Sequence, residues 1–383
     1  MGGQAGPSDE YTPSIIAPKP DGTSVLAWAD LGSKNIRLAS LTAQDTIQQQ
    51  LPAVPGLEVH AMLADAQGAA LAVMANDPDI YSVKYCQSSA TPDKAVCGKM
   101  DLVRIDNAGA VSYRTTLTSK KNVDSDGALF TWWYAHTARL ATDGSEYAVY
   151  FRSAGSSPRP GVAGEIDIHA GDTLRFVNSS TGAMSAGGWD WGCSHSWSVR
   201  MAYNGRWGAA CHGDGFPNAM QVARFGSSTA AASSLQWLSG TDPAQRALGG
   251  LVPAAGGYWL NYMQTSGGAL ALKLAKVPDS GSALTQDSTI SAATGLDAVY
   301  PMRPYMAAYG SGKLLLGWKA SGRLVLAVAD ATTGAVTEGP VVTTLKIDNF
   351  QDMVTAANGD VLWAYSDGGT NIQVNRVAAC SSN

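Results

Sequence analysis

A glycine-centred unit recurs along the whole of this 383-residue chain, and no other feature limits its fold so tightly. Each copy reads as a strand, a turn ending in glycine, a second apolar strand, another turn, and a third strand of alternating apolar residues. Examples are "VHAMLADAQGAALAVMAND", "AHTARLATDGSEYAVYFRS", "SVRMAYNGRWGAACHGD" and "RPYMAAYGSGKLLLGWKASGRLVLAVAD". Seven copies can be aligned on Gly22, Gly68, Gly144, Gly205, Gly257, Gly310 and Gly359, at steps of 46, 76, 61, 52, 53 and 49 residues.

Units of about 40 to 50 residues suit one four-stranded sheet each, and such sheets protect their edges by closing into a ring. The prediction is an all-β chain: a seven-bladed β-propeller of four-stranded antiparallel blades, one domain over residues 1–383. The longer steps then hold insertions near 77–100 and 152–170. The last copy stops at its third strand near Cys380, so the segment before Ser14 is expected to close the ring by supplying the missing strand. An irregular pair of β-sandwiches fits the even spacing less well. The acids agree with strands and turns: there are 26 Asp and 5 Glu, and Asp favours turns where Glu favours helix interiors. The organisation resembles seven-bladed β-propellers in general and no one family. It lacks Trp-Asp and paired kelch-glycine signatures, and only "YSDGGTNIQV" is similar to the Asp box of sialidases.

Charge and hydropathy remove several classes of partner. The net charge is −5 and basic residues cluster only at Lys120 and Lys121, which excludes a phosphate-backbone footprint and so nucleic acid. No apolar run reaches the about 18 residues of a transmembrane helix. The polar start "MGGQAGPSDE" has no signal-peptide core, and the expectation is that an export signal, of lipoprotein type, was removed ahead of it. Cys86 and Cys97 bracket a short polar loop, Cys193 and Cys211 bracket a hairpin, and Cys380 is left over. Two local disulfides would suit a monomer that is secreted, periplasmic or lipid-anchored at the cell surface.

The five histidines fall on one face. In a blade the first strand runs from the top face down to the turn glycine, and the second runs back up. His60 and His136 stand eight residues before their turn glycines, and His195 stands ten before Gly205, one side-chain repeat higher on the same face of its strand. His212 ends the second strand of its blade, and His169 lies in the insertion that joins the second and third strands of the blade before it. Imidazoles gathered at a channel mouth suit a transition metal, with Zn or Cu favoured, or acid/base chemistry. Each one alone also reads as a satisfied strand end. A single ion takes two to four ligands, so the favoured set is His136, His195 and one of His169 or His212, with His60 as a neighbour.

Other residues collect around the same blades. Asp172 and Asp214 follow His169 and His212 in "IHAGD" and "CHGDG", as tautomer-fixing partners or as ordinary turn residues. Trp132, Trp133, Trp189 and Trp191 precede two inner strands, where they would stack on a glycan or small molecule at the top face or fill space between blades. "NVDSDG" places Asn122, Asp124, Asp126 and Gly127 as a calcium loop would, but Trp133 stands where the bidentate Glu belongs. It reads as a solvated turn, with calcium the alternative. Arg139 and Arg200 match, five residues before their glycines, and read as structural, with neutralisation of a ligand carboxylate as the other use. Adjacent residues on a strand face opposite ways, so Ser194 and His195 in "SHSWS" should not pair. The architecture is similar to that of some polysaccharide lyases, in which histidine, tyrosine and a metal share one propeller face. That resemblance casts His136 and Tyr134 as an acid/base pair and Arg139 as neutraliser, and His195, from the histidine cluster, is a further catalytic candidate. The sequence thus supports a metal-dependent enzyme on an extracellular polysaccharide, or a lectin-like propeller without catalysis.

Overall fold

The computed structural model describes residues 14–30, 32–75, 87–88, 91–95, 97–119, 126–132, 137–190, 192–213, 220–237, 246–266, 268–297, 303–349, 351–366 and 371–379. They form strands and turns and no helix. Strands β1 (Ser14–Pro18), β2 (Ser24–Asp30), β3 (Asn35–Leu41) and β4 (Ile47–Pro55) make the first antiparallel sheet in chain order. Next come β5 (Glu58–Asp65), β6 (Gly68–Ala75), the small hairpin β7 (Gln87–Ser88) and β8 (Thr91–Ala95), β9 (Cys97–Asp106) and β10 (Val111–Thr116). After β11 (Leu129–Trp132) follow β12 (Ala138–Thr142), β13 (Glu146–Pro158) and β14 (Ile166–Asn178). Three four-stranded sheets come after them: β15 (Ser198–Tyr203) to β16 (Trp207–His212), β17 (Met220–Phe225) and β18 (Ser233–Trp237); β19 (Arg246–Ala254) to β20 (Gly257–Ser266), β21 (Ala269–Pro278) and β22 (Gln286–Thr289); β23 (Tyr305–Tyr309) to β24 (Lys313–Ala320), β25 (Arg323–Asp330) and β26 (Val336–Val342). The last sheet is β27 (Val354–Thr355), β28 (Val361–Ser366) and β29 (Ile372–Val377).

Every aligned turn glycine falls where the first strand of its repeat turns into the second, opening the second strand at Gly68 and Gly257, and takes a positive φ, from 53° at Gly310 to 151° at Gly257. Side chains rarely adopt that backbone, which is why glycine marks each turn. First strands of successive repeats touch in the order β1, β5, β12, β15, β19, β23 and β27, and β27 touches β1.

The apolar core lies between sheets. Second strands are buried along their length, as in β6, because sheets cover both of their faces. Trp207, Trp259, Trp318 and Trp363 are fully buried on second strands. The Trp259 indole reaches the neighbouring sheet, donating to the Ala331 carbonyl at 2.7 Å. Ile16, Leu26 and Trp28 of the first sheet pack with Leu362 and Ala364 of the last. Polar contacts reinforce that junction, since Arg376 of β29 binds Asp45 with two hydrogen bonds of 2.7 Å and Gln351 donates to the Ser14 carbonyl at 2.6 Å. The segment expected to supply a strand here precedes Ser14 and lies outside the described residues.

The insertion near 152–170 is a hairpin extension rather than an open loop. β13 and β14 pair without a break from Glu146↔Asn178 to Pro158↔Ile166. β11 joins the upper part of β13 to the start of β9, so β5–β6–β9–β10 and β12–β13–β14 share one continuous sheet. Among the described residues no helix is long and apolar enough to cross a membrane.

Candidate functional site

The end of the ring opposite the turn glycines is where first strands begin and second strands finish. All four described histidines lie toward it: His60 is the third residue of β5, His169 lies in the upper part of β14, His195 precedes β15, and His212 ends β16.

His195 does not continue the inner strand as expected, because β15 starts only at Ser198. It occupies a turn with φ 46°, exposes its ring, and donates its N–H to the Ala170 carbonyl at 2.9 Å. The turn is docked along β14 by further bonds, from Gly192 N–H to the Asp172 carbonyl at 3.0 Å and from Cys193 N–H to Asp172 Oδ2 at 3.1 Å. The Cys193–Cys211 disulfide, spanning 18 residues, ties it to β16 as the hairpin spacing predicted. In a turn, adjacent side chains need not alternate. Ser194 Oγ therefore lies 2.9 Å from His169 Nε2 and 3.0 Å from His195 Nδ1, which corrects the expectation that Ser194 and His195 diverge. The two imidazole rings are 4.1 Å apart at 67°.

The remaining described histidines go elsewhere. His60 sits at a bulge in β5 and binds the Glu58 carboxylate at 3.1 Å, with both side chains buried. His212 is buried 6.3 Å from the Trp197 ring, and burial, aided by the charges of Arg303, Arg246 and Arg152, depresses its pKa to about 3. It is therefore a neutral imidazole at any ordinary pH.

Among the described residues, the only trio of potential ligands whose donor atoms all lie within 4.8 Å is Asp172, Cys193 and Cys211, and its two sulfurs are bonded to each other. His60, His169, His195 and His212 therefore do not converge as three ligands, and the fold brings together only the pair on β14 and the turn. His136, Tyr134, Trp133, Trp191, Asp214, Cys86, Cys380, Asn122 and Asp124 lie outside the described residues, as do the side chains of Trp132 and Cys97.

Asp172 does not serve an imidazole, and Trp189 follows the space-filling alternative. Asp172 is fully buried and faces away from His169. It accepts from the Trp189 indole at 3.2 Å and from the Cys193 amide, with Tyr150 as an additional donor. Burial raises its pKa to about 7, partly offset by those donors. Trp189 packs edge-on against Tyr150 at 5.6 Å and is bonded through its backbone to Leu174, so it fills space beneath the turn rather than presenting a stacking face. Both residues are there to hold the turn.

Replacing Cys193 and Cys211 by serine should lower stability by about 3 kcal/mol, the chain-entropy value for a loop of this length. Calorimetry of the double variant beside the oxidised parent would test this, and a loss below about 1 kcal/mol would show that hydrogen bonds to β14 alone hold the turn.

Arg139 and Arg200 meet at Asp352, a residue no motif had marked. Arg139 donates to Asp352 Oδ1 at 2.9 Å and forms a second, closer contact to Oδ2 through Nε. Arg200 lies 3.7 Å from Oδ1 and also donates to the carbonyls of Val199 and Gly249. The structural reading of both arginines agrees with these bonds.

No protein-family model and no curated protein sequence matches the chain. Solved propellers do. A leech intramolecular trans-sialidase bound to 2,7-anhydro-Neu5Ac is 8% identical, with a TM-score of 0.50 over 93% of this chain and 83% of its own. The Dos1 propeller is 9% identical, with a TM-score of 0.48 over 92% of this chain and 75% of its own. The NanB sialidase of Streptococcus pneumoniae is 10% identical, with a TM-score of 0.45 over 95% of this chain and 66% of its own. The chain is a β-propeller, and at such identities the likeness extends to the fold alone.

Proposed function

We propose that this chain is an exported β-propeller that binds a transition metal on its top face through His169 and His195 and acts there on a glycan. The observation that carries the reading is the shared serine. Ser194 engages Nε2 of His169 and Nδ1 of His195, which orients both rings side by side as the pair that would hold the metal. Two imidazoles leave coordination positions for water and substrate, as a catalytic site requires, and Zn or Cu suits such ligands. The disulfide suits an oxidising compartment. Arg152, Arg246 and Arg303, whose charges reach His212, favour a glycan bearing carboxylates. The leech propeller, whose ligand is such a sugar, shares the fold.

The test is calorimetric titration of chelator-treated protein with Zn and Cu. One equivalent should bind. His169→Ala or His195→Ala should abolish binding, and Ser194→Ala should weaken it about 10- to 100-fold, the usual effect of losing a partner that orients a ligand. Saturable binding that survives both histidine variants, or no binding at all, overturns the metal site and leaves a glycan array as the measure of a lectin-like propeller.

A further inference from the structure

The opposite end of the central channel contains a cavity of about 420 Å³. Its lining comes from the lower halves of the first strands, including residues 139–142, 200–203, 250–253, 306–308 and 352–355. All of these precede turn glycines, so the cavity lies on the turn side of the ring, away from His169 and His195. The walls are largely apolar, with Met62, Met201, Met306 and Met353 among them, and the inner end carries Arg139, Arg200 and Asp352.

We infer that this cavity is a second binding site, for a small carboxylate with an apolar tail. Ligand pockets of this size are mostly apolar with a few converging polar groups, and here those groups are two guanidiniums against one carboxylate. Two guanidiniums beside one carboxylate leave a net positive charge next to largely apolar walls, which an anionic head group would offset. Burial holds Arg200 down at about 10, against the pull of Asp352. Methionine walls adapt to a flexible chain. A purely polar anion would leave those walls in contact with water, and a neutral lipid would leave the arginines without a new partner.

The probe is octanoate, titrated calorimetrically into the intact protein beside octanol as its uncharged counterpart. Octanoate should bind once per chain, at least tenfold tighter than octanol. Arg139→Gln should weaken it about tenfold. Ala308→Phe, which narrows the cavity without touching the arginines, should abolish binding while the melting temperature stays within a few degrees of the parent. No saturable binding up to millimolar octanoate overturns the inference, as does equal binding of octanol or unchanged binding by Ala308→Phe. The His195→Ala protein should bind octanoate like the parent, so this site and the proposed metal site fail or stand separately.

Discussion

Asp352→Ala is expected to destabilise the protein by about 4 kcal/mol, the middle of the range for removing one partner of a buried ion pair. Burial alone would raise the Asp352 pKa, but the charges of Arg139, Arg200 and Arg303 more than offset it, and the carboxyl lies below its ordinary 3.8. The carboxylate is thus ionised at neutral pH and neutralises arginines whose side chains are only 10% and 5% exposed. The third of Asp352 that is exposed faces the channel rather than bulk solvent. Removing it leaves two guanidiniums facing each other across a narrow space, each still bonded to carbonyls but without a counter-charge. Asp352→Asn keeps an acceptor and should lose roughly half as much. In the triple variant Arg139→Met, Arg200→Met, Asp352→Leu the cost should fall below that of Asp352→Ala, since a buried ion group replaced whole by apolar side chains is often neutral. Calorimetric unfolding of the three variants decides the matter, and a loss under about 1 kcal/mol for Asp352→Ala would show that the backbone carbonyls suffice.

The second large effect concerns pH and needs two variants to become visible. Asp172, raised by burial to about 7 from 3.8, holds its proton in the folded chain between pH 4 and 6.5 and loses it on unfolding. Its contribution is therefore full below pH 3.8 and is lost as pH rises through 7. His212, lowered by burial to about 3 from 6.5, behaves oppositely. It takes up a proton on unfolding in the same window, so its contribution is present above pH 6.5 and is lost as pH falls through 3. One proton released and one taken up leave the parent with little slope from these groups. Asp172→Asn should then gain stability with rising pH at about 1.4 kcal/mol per pH unit, and His212→Phe should lose it at the same rate. Over the window the two variants should diverge from the parent in opposite directions by about 3 kcal/mol each. The depressed aspartates, such as Asp21, Asp65 and Asp352, titrate below this range and do not interfere. Denaturant midpoints at half-unit pH intervals would measure the slopes. Parallel curves for parent and both variants would mean that neither group keeps its folded protonation state.

Much of the architecture could be read directly along the chain, because each blade is a local unit. A turn glycine with positive φ, an apolar second strand and an alternating third strand lie within about 30 residues of one another, so periodicity and turn chemistry report them without knowledge of distant contacts. The Cys193–Cys211 bridge was legible for the same reason, since both cysteines belong to one hairpin. The candidate site was legible only in part. That the histidines share an end of the ring follows from counting along strands, but counting placed His195 on a strand that begins three residues later. A turn docked on β14 carries it instead, and that docking puts Ser194 between two rings contributed by different parts of the chain.

Asp172 and Asp352 mark the same boundary from the other side. "IHAGD" suggested a carboxylate beside an imidazole, yet strand alternation and the packing of Trp189 turn Asp172 toward the disulfide. Asp352 stands in no motif, and its partner Arg139 lies 213 residues away across the channel. Local pattern alone therefore determined the strands, their turns, the hairpin disulfide and the end of the ring toward which the four described histidines lie. Closure of the ring decided which side chains meet, because contacts across the channel and between a turn and a neighbouring sheet depend on the packing of whole blades and leave no periodic trace in sequence.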